Sequence, residues 1–350
     1  MGIKYNWIYP TYDESFIKEI ESYNISKNVA KILNARSITD LSTVKKFFSD
    51  EYEEGYDPFL MYDMQKAVDR INEAIENEEK ILVYGDYDAD GITSTVLLVE
   101  TLISLGANVS SYIPNRFDEG YGPNKEAFTK IIESGITLII TVDNGITAYE
   151  ASELLQQHNV PVIITDHHLP ASKELPGDLQ TDPWIDEQAG THLCGAAVAW
   201  KTCLLIEHML EELTSIEYNV CNKYIPYVGI GLITDVMPPH IENRAIVKMA
   251  LDKMNNKEVP VMNMFSEVFD IKDFTSKTIA WSIGPKLNSA SRLGNTELAT
   301  DVFFLQNPEH KDELEDKIID IARMDNERKK ITDKAIKEAL EHKFSQIKEM

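Results

Sequence analysis

Residues 81–102 read ILVYGDYDADGITSTVLLVETL. The opening run, ILVY, is too short for a buried helix but suits a strand covered on both faces. It breaks at Gly85, passes through a turn rich in aspartate, and from Ile92 to Leu105 resumes with an apolar pattern of helical length. Strand, turn and helix in that order make the first half of a right-handed βαβ unit. Downstream the alternation continues with a strand NVSSYI (108–113), a helix near Asn124 to Glu133, a strand ITLIITV (136–142), a helix near Ala148 to His158, and a strand PVIIT (161–165). The expected fold class is therefore α/β, an open, mostly parallel sheet flanked by helices.

Outward from this centre the patterning changes. Upstream lie short helical patterns, Ser26 to Asn34 and Leu41 to Phe48, then a charged run, IENEEK (75–80), that reads as a solvated helix end before a strand. Beyond Asp166 the sequence turns helical, with apolar periodicity over Ala196 to Leu213, Tyr224 to Ile233 and Ile241 to Met254. From Leu314 onward Ile318, Ile321, Ile331, Ala335, Leu340, Phe344 and Ile347 recur at near-helical spacing, a long amphipathic helix broken or unbroken near Met324. The expected organisation is an N-terminal extension (1–79) packed on the core, a central domain (80–310) with a helical second half, and a C-terminal connector helix (311–350). There is no internal repeat and no low-complexity segment.

Composition bounds the function. A hydrophobic share of 43% in 350 residues supports a packed core. No stretch reaches the roughly 18 uninterrupted apolar residues of a membrane span, and MGIKYNWIYP lacks the layout of a secretion signal, so no membrane association and a cytoplasmic location are expected. Cys194, Cys203 and Cys221 have no CxxC spacing and read as small buried apolar residues. The net charge of −24 argues against a generic nucleic-acid binder, which needs a basic face to displace counterions. A metal-dependent site must itself be acidic, however, and bound cations reverse the field where a phosphate sits. From Arg323 to Met350 basic residues slightly outnumber acidic ones, so nucleic-acid contact is expected to be local.

In an open parallel sheet ligands bind beyond the carboxyl ends of the strands. Those positions hold Gly85-Asp86-Tyr87-Asp88-Ala89-Asp90-Gly91, Val142-Asp143-Asn144-Gly145 and Thr165-Asp166-His167-His168, with Thr234-Asp235 at the end of a later helix. Taken singly, each has a plainer reading as a turn, a loop pair or a helix cap. Together they bring carboxylates and imidazoles to one sheet edge, which separate turns have no reason to do. Three aspartates two apart in an extended segment project to one side and repel without a cation. Oxygen and imidazole donors without thiolate suit Mn²⁺ or Mg²⁺, with some tolerance for Zn²⁺ or Co²⁺. Two such ions ~4 Å apart activate a water and steady the leaving oxygen of a phosphate ester. A dinucleotide-binding domain is disfavoured because GDYDADG lacks GxGxxG spacing, and a phospho-receiver needs no paired histidines.

The order GDYDADG, VDNG, TDHH, TDVMP over residues 81–239 resembles the four signature motifs of the DHH phosphoesterases. Three further pieces, IPNRFDEGYG (113–122), LCGAAVAWK (193–201) and IGPKLNSASRLG (283–294), resemble the branch of that family that degrades single-stranded DNA. The resemblance implies Asp88 and Asp90 as ligands of two different metal ions, Asp143 as the bridging ligand, and His167 and Asp235 as further ligands of the ion on Asp90. It places His168 at the scissile phosphate and makes Asp86 and Asp166 supporting groups in the catalytic set. Arg292 and Asn288 would meet the substrate phosphate, with Arg116, Tyr121 and Lys286 along the strand path. Tyr84 stands where family pyrophosphatases carry a histidine, so one metal site is expected to be looser or completed by water. The implied activity is 5′-to-3′ exonucleolytic hydrolysis of single-stranded DNA in recombination and repair, using two divalent ions, Mn²⁺ first and Mg²⁺ next. A single-strand-binding protein and a helicase are the implied partners. The alternatives are a DHH phosphoesterase acting on short oligonucleotides or nucleotides, and a non-catalytic replication scaffold of the same superfamily. The glycine-histidine motif of the companion substrate-binding domain is missing before Met350, so the last helix is expected to lead to a domain outside this sequence.

Overall fold

A computed structural model describes residues 9–49, 57–115, 119–120, 122–171, 179–180, 192–215 and 219–348. The chain divides into two units, a small one of Met1–Gly55 with Pro239–Ala245 and a large one of Tyr56–Pro238 with Ile246–Met350. In the small unit α1 (Glu14–Glu21), α2 (Lys27–Ala35) and α3 (Leu41–Phe48) enclose Phe16, Ile17, Ile20, Ala30, Leu33, Ile38 and Val44. Asp13, Ser26 and Asp40 cap these helices, each accepting backbone N–H groups that the first turn leaves unpaired. The unit boundary falls after Gly55, so α4 (Met64–Glu76) belongs with the sheet that follows it.

The large unit is the expected alternation. It holds β1 (Lys80–Tyr84), α5 (Ala89–Ser104), β2 (Asn108–Tyr112), α6 (Lys125–Glu133), β3 (Leu138–Val142), α7 (Tyr149–Gln157), β4 (Val162–Thr165) and a two-residue β5 (Leu179–Gln180). All pairs are parallel and the strand order is β2-β1-β3-β4-β5. The chain steps outward from β1 to β2 and returns to lay β3 on the other side of β1. The carboxyl ends of β1 and β3 thus flank the topological switch point, where an open sheet forms its crevice. β1 and β3 are buried on both faces beyond the first residue of β1, which explains their continuous apolar reading. β2 is the half-exposed edge, and its Ser110 and Ser111 keep that edge polar.

The second half is helical, with α8 (Gly195–Thr214), α9 (Ile225–Thr234), α10 (Ile241–Asn255), α11 (Pro260–Phe269), a single turn α12 (Ser276–Thr278) running through a π-turn (Ile279–Ile283) into α13 (Gly284–Arg292), then α14 (Thr296–Phe304) and α15 (Lys311–Lys348). α5 packs against both α8 and α9, and nearly all its side chains are buried. A helix buried on nearly every side belongs in an interior, where each buried Val, Leu or Ile contributes ~1.5–3 kcal/mol. Its buried Thr93, Ser94 and Thr95 hydroxyls donate to carbonyls one turn back. α15 is unbroken past Met324. Cys194, Cys203 and Cys221 are all buried free thiols. No helix among the described residues is long and apolar enough to cross a membrane.

One local expectation is corrected. The aspartates of GDYDADG do not share an extended segment. Asp88 is extended and caps α5, accepting from Asp90 N and Gly91 N, while Asp90 already lies in the first helical turn. The cap turns Asp90 away from Asp86 and Asp88, and the three carboxylates enter two different donor groups.

Candidate metal centre

Three groups of donors converge at the switch point, each with its ligand atoms within 4.8 Å of one another: Asp86, Asp88 and Asp143; Asp90, His167 and Asp235; Asp143, His167 and His168. Asp143 and His167 each belong to two groups, so the donors form one continuous site. Its carboxylates come from the β1–α5 turn, the first turn of α5, the end of β3 and the C-cap of α9, and its imidazoles from the end of β4.

The backbone bends to deliver them. Asp143 has φ 61°, a left-handed conformation that costs most side chains energy and that Asp tolerates better than most. Its N–H remains tied to the Thr165 carbonyl at 3.0 Å, which holds the turn against β4. Val236, directly after Asp235, has φ 57°, an outlier for a β-branched residue, at the turn that ends α9. Two glycines admit the carboxylates: a Cβ on Gly195 would lie 2.5 Å from the Asp143 Cβ, and one on Gly231 would lie 2.1 Å from Asp90 Oδ1. Asp90 also accepts from Gly195 N at 2.6 Å and Ala196 N at 3.1 Å, so the N-terminus of the long α8 seats it.

Several buried atoms here have no protein partner. Asp86 Oδ1, Asp143 Oδ1 and His167 Nε2 are buried and make no hydrogen bond. His167 Nε2 lies 3.0 Å from Asp143 Oδ1, 3.7 Å from Asp235 Oδ2 and 3.8 Å from Asp90 Oδ2. The shortest of these has an ion pair's distance without a hydrogen bond's geometry. We read it as two lone pairs facing one space, because buried polar atoms seldom stay unpaired. The electrostatics agree. Burial, then the charges of Asp90, Asp88 and Asp86, push the Asp143 carboxyl well above its ordinary range. Burial and Asp88 push Asp86 up to about 7; burial and Asp90 raise Asp88, and push Asp235 up to about 6. A cation relieves all of this at once, and hard oxygen donors with imidazole fit a divalent ion of the Mn²⁺ or Mg²⁺ type.

Asp166 behaves differently. It is buried, which raises its pKa, but the hydrogen bond from His168 and backbone N–H groups outweigh burial and lower it overall. Its oxygens take Ile146 N, His167 N, His168 N and His168 Nδ1, the last at 2.7 Å. That last bond pushes the half-exposed His168 up to about 9 and fixes its ring. The Tyr84 hydroxyl donates to the Gly122 carbonyl and its ring stacks on Tyr112. Asp86 instead stands with Asp88 and Asp143.

Beside the centre, Asn288 Oδ1 accepts from Ala89 N at 2.8 Å, pinning α13 to the turn that carries Asp88 and Asp90. Asn288 and Arg292 line a small cavity, and Arg292 is exposed. GPKLNSASRLG is helical to Arg292, and its Gly284, Pro285, Asn288 and Arg292 line the cavity. Lys286 turns to the Ser282 carbonyl and the Phe269 ring. Arg116 and Tyr121 lie outside the described residues. Sequence reasoning missed Gly195 and Gly231. The small-residue run around Gly195 was the available signal, but nothing local says which carboxylate each glycine meets.

A family profile described as the DHH family, N-terminal domain, matches residues 80–231. The chain is 35% identical over 348 residues to the single-stranded-DNA-specific exonuclease RecJ of Bacillus subtilis, covering 97% of this chain and 42% of that relative. It is 34% identical over 238 residues to RecJ of Thermus thermophilus, covering 67% of this chain and 34% of that protein. The chain thus spans less than half the length of either. Among solved structures, an exonuclease RecJ bound to manganese superposes with a TM-score of 0.73 at 30% identity, over 81% of this chain and 70% of that one. Thermus thermophilus RecJ in complex with Mn²⁺ gives a TM-score of 0.78 at 25% identity, over 93% of this chain and 46% of that one. With a family profile over residues 80–231 and RecJ relatives matched over as much as 97% of its length, the chain belongs to the DHH family, in its RecJ branch.

Proposed function

We propose that this chain carries the metal centre of a phosphodiesterase that hydrolyses single-stranded DNA from its 5′ end. The observation that supports this most is the set of unpaired buried donors, Asp86 Oδ1, Asp143 Oδ1 and His167 Nε2, at the mouth of the sheet. Asp86 and Asp88 would hold one ion, Asp90, His167 and Asp235 the other, and Asp143 would be shared. Two divalent ions, Mn²⁺ or Mg²⁺, would supply an activated water and charge stabilisation for the leaving oxygen. Asp166 orients the His168 ring through Nδ1 and holds a proton on it, which places a donor at the phosphate. Asn288 keeps α13 against the ligand-bearing turn, and Arg292 pairs with a phosphate oxygen.

The relatives named as single-stranded-DNA-specific exonucleases support that substrate class. Recombination and repair in the cytoplasm, with a single-strand-binding protein and a helicase supplying strands, is the setting that fits such an activity. The test is digestion of 5′- and 3′-labelled single and double strands with Mn²⁺. Mononucleotides released from the 5′ end of single strands are expected. Cleavage confined to very short oligonucleotides would move the chain to another DHH activity, and absence of both Mn²⁺ uptake and cleavage would make it a scaffold.

A further inference from the structure

The metal centre has a soft neighbour. Cys194 is wholly buried and stands directly before α8 in the extended conformation of an N-cap, yet its side chain caps no backbone N–H. Its thiol is hydrogen-bonded to the Asp90 carboxylate. The same carboxylate accepts from Gly195 N and Ala196 N, so Asp90 and the Cys194 sulfur share one seat at the start of α8. Gly231 of α9 faces both, since a Cβ there would lie 2.1 Å from Asp90 Oδ1 and 3.1 Å from Cys194 Sγ. Cys203 and Cys221 are turned to each other, which leaves Cys194 as the thiol beside the ligands.

An S–H group is a weak donor, and as packing alone a thiol serves little differently from a small apolar side chain. What marks this one is the space on the other side of Asp90. There His167 Nε2, on a side chain 8% exposed, is buried without a hydrogen bond and lies 3.8 Å from Asp90 Oδ2 and 3.7 Å from Asp235 Oδ2. Asp90, His167 and Asp235 thus offer three donors to one ion. Three protein ligands leave the fourth position of a tetrahedral ion to water, as a catalytic site requires, and a fourth protein ligand closes it. Cys194 lies outside the three donor groups, so a hard ion such as Mn²⁺ or Mg²⁺, with little affinity for sulfur, leaves it as a donor to Asp90. A thiophilic ion gains by drawing it in.

We propose that Cys194 sets the metal selectivity of this centre: Zn²⁺ held by Asp90, His167 and Asp235 recruits the Cys194 sulfur as a fourth ligand, which shuts out the water that hydrolysis needs. The thiol proton passes to solvent as the metal–sulfur bond forms, and no electron is transferred. This rests on the metal-centre reading above. The competing role, a small buried residue that fills space beside Asp90, predicts that substitution weakens every divalent ion alike.

The experiment uses Cd²⁺ in place of Zn²⁺, because it shares the affinity for sulfur and its bond to a thiolate gives a charge-transfer absorption in the ultraviolet. The whole chain, kept reduced with a phosphine, is titrated with Cd²⁺ and separately with Mn²⁺ by calorimetry and absorbance. The unaltered chain is expected to develop the band and release a proton as Cd²⁺ binds, and to lose the band when excess Mn²⁺ displaces it. Cys194→Ser, which keeps a hydroxyl donor for Asp90, and Cys194→Ala should both lose the band, and the ratio of Cd²⁺ to Mn²⁺ affinity should fall about tenfold or more. Zn²⁺ should inhibit Mn²⁺-dependent cleavage less in either variant than in the unaltered chain. A band that persists in both variants belongs to Cys203 or Cys221 and overturns the assignment. So does an equal loss of affinity for the two ions, or, with no variant needed, a band in the unaltered chain that excess Mn²⁺ leaves in place. A chain that takes up Mn²⁺ but shows no Cd²⁺ band refutes the role of Cys194 alone, whereas one that binds neither ion refutes the metal centre itself.

Discussion

At Asp143 one residue answers to two constraints, a left-handed backbone at φ 61° and a buried carboxylate among like charges. The two constraints separate by substitution. Asp143→Asn keeps a residue that tolerates the left-handed turn and removes the buried charge. Its metal-free melting temperature is expected to equal or exceed that of the unaltered chain, with cleavage and Mn²⁺-induced stabilisation both lost. Asp143→Ala should lose the same functions, keep the fold, and pay in addition ~1–2 kcal/mol for the backbone. Near-normal Mn²⁺-dependent cleavage by either variant would sink the shared-ligand assignment. Gly231→Ala tests the seat of Asp90, because the added Cβ would lie 2.1 Å from Oδ1. Overpacking there should destabilise by ~1–3 kcal/mol and weaken Mn²⁺ binding by calorimetry, while circular dichroism stays native. The ligand types were legible in the sequence because Asp and His are rare choices at successive strand ends. The glycines were not, since Gly195 and Gly231 acquire meaning only when α8 and α9 pack on the carboxylates of distant turns.

The elements were the most legible level. β1, β3 and β4 are short apolar runs closed by turn residues, and no other element accounts for that length and burial. The π-turn at Ile279–Ile283 was not legible, because its register depends on how Gly284 meets Thr234. α15 shows a third case, a periodicity read correctly whose burial differs along its length. Ile318 and Ile321 are buried, whereas Ile331, Ile336 and Leu340 are each at least half exposed. Asp325 marks the change, gripping Arg328 and Lys329 where the packed half ends. Hydrogen exchange should therefore divide this continuous helix, with slow amides from Lys311 to about Arg328 and fast ones beyond Thr332, because local opening follows missing buried contacts. Uniform protection to Lys348 would contradict that division.

For the whole molecule the acidic centre sets the response to pH and metal. Asp86 and Asp235 are pushed up to about 7 and about 6, and Asp88 and Asp143 are raised as well, so in this range the metal-free folded chain binds more protons than the unfolded one. Stability without metal must therefore rise as pH falls from about 8 towards about 5. His168, raised to about 9, adds the same sign, since its contribution is full below its ordinary value and fades as pH rises through the folded one. Mn²⁺ needs the deprotonated donors, so its presence should flatten or reverse the slope, and its affinity should fall over the same interval. Thermal melts across that interval with and without Mn²⁺ check both signs; a metal-free chain that melts lower at about pH 5 than at about pH 8 would disprove them. The fold class was legible at this scale because alternation alone implies a parallel sheet, whereas the division after Gly55 was not, because it depends on tertiary contacts. One feature bears on time as well as energy. The donors run from Asp86 to Asp235, so the complete set exists only after β4 has joined the sheet and α9 has docked. Contacts so distant along the chain form late on a folding path. The ion thus has little to grip in the transition state. Mn²⁺ should slow unfolding while leaving the refolding rate nearly unchanged, a brake on leaving the native state and no guide towards it.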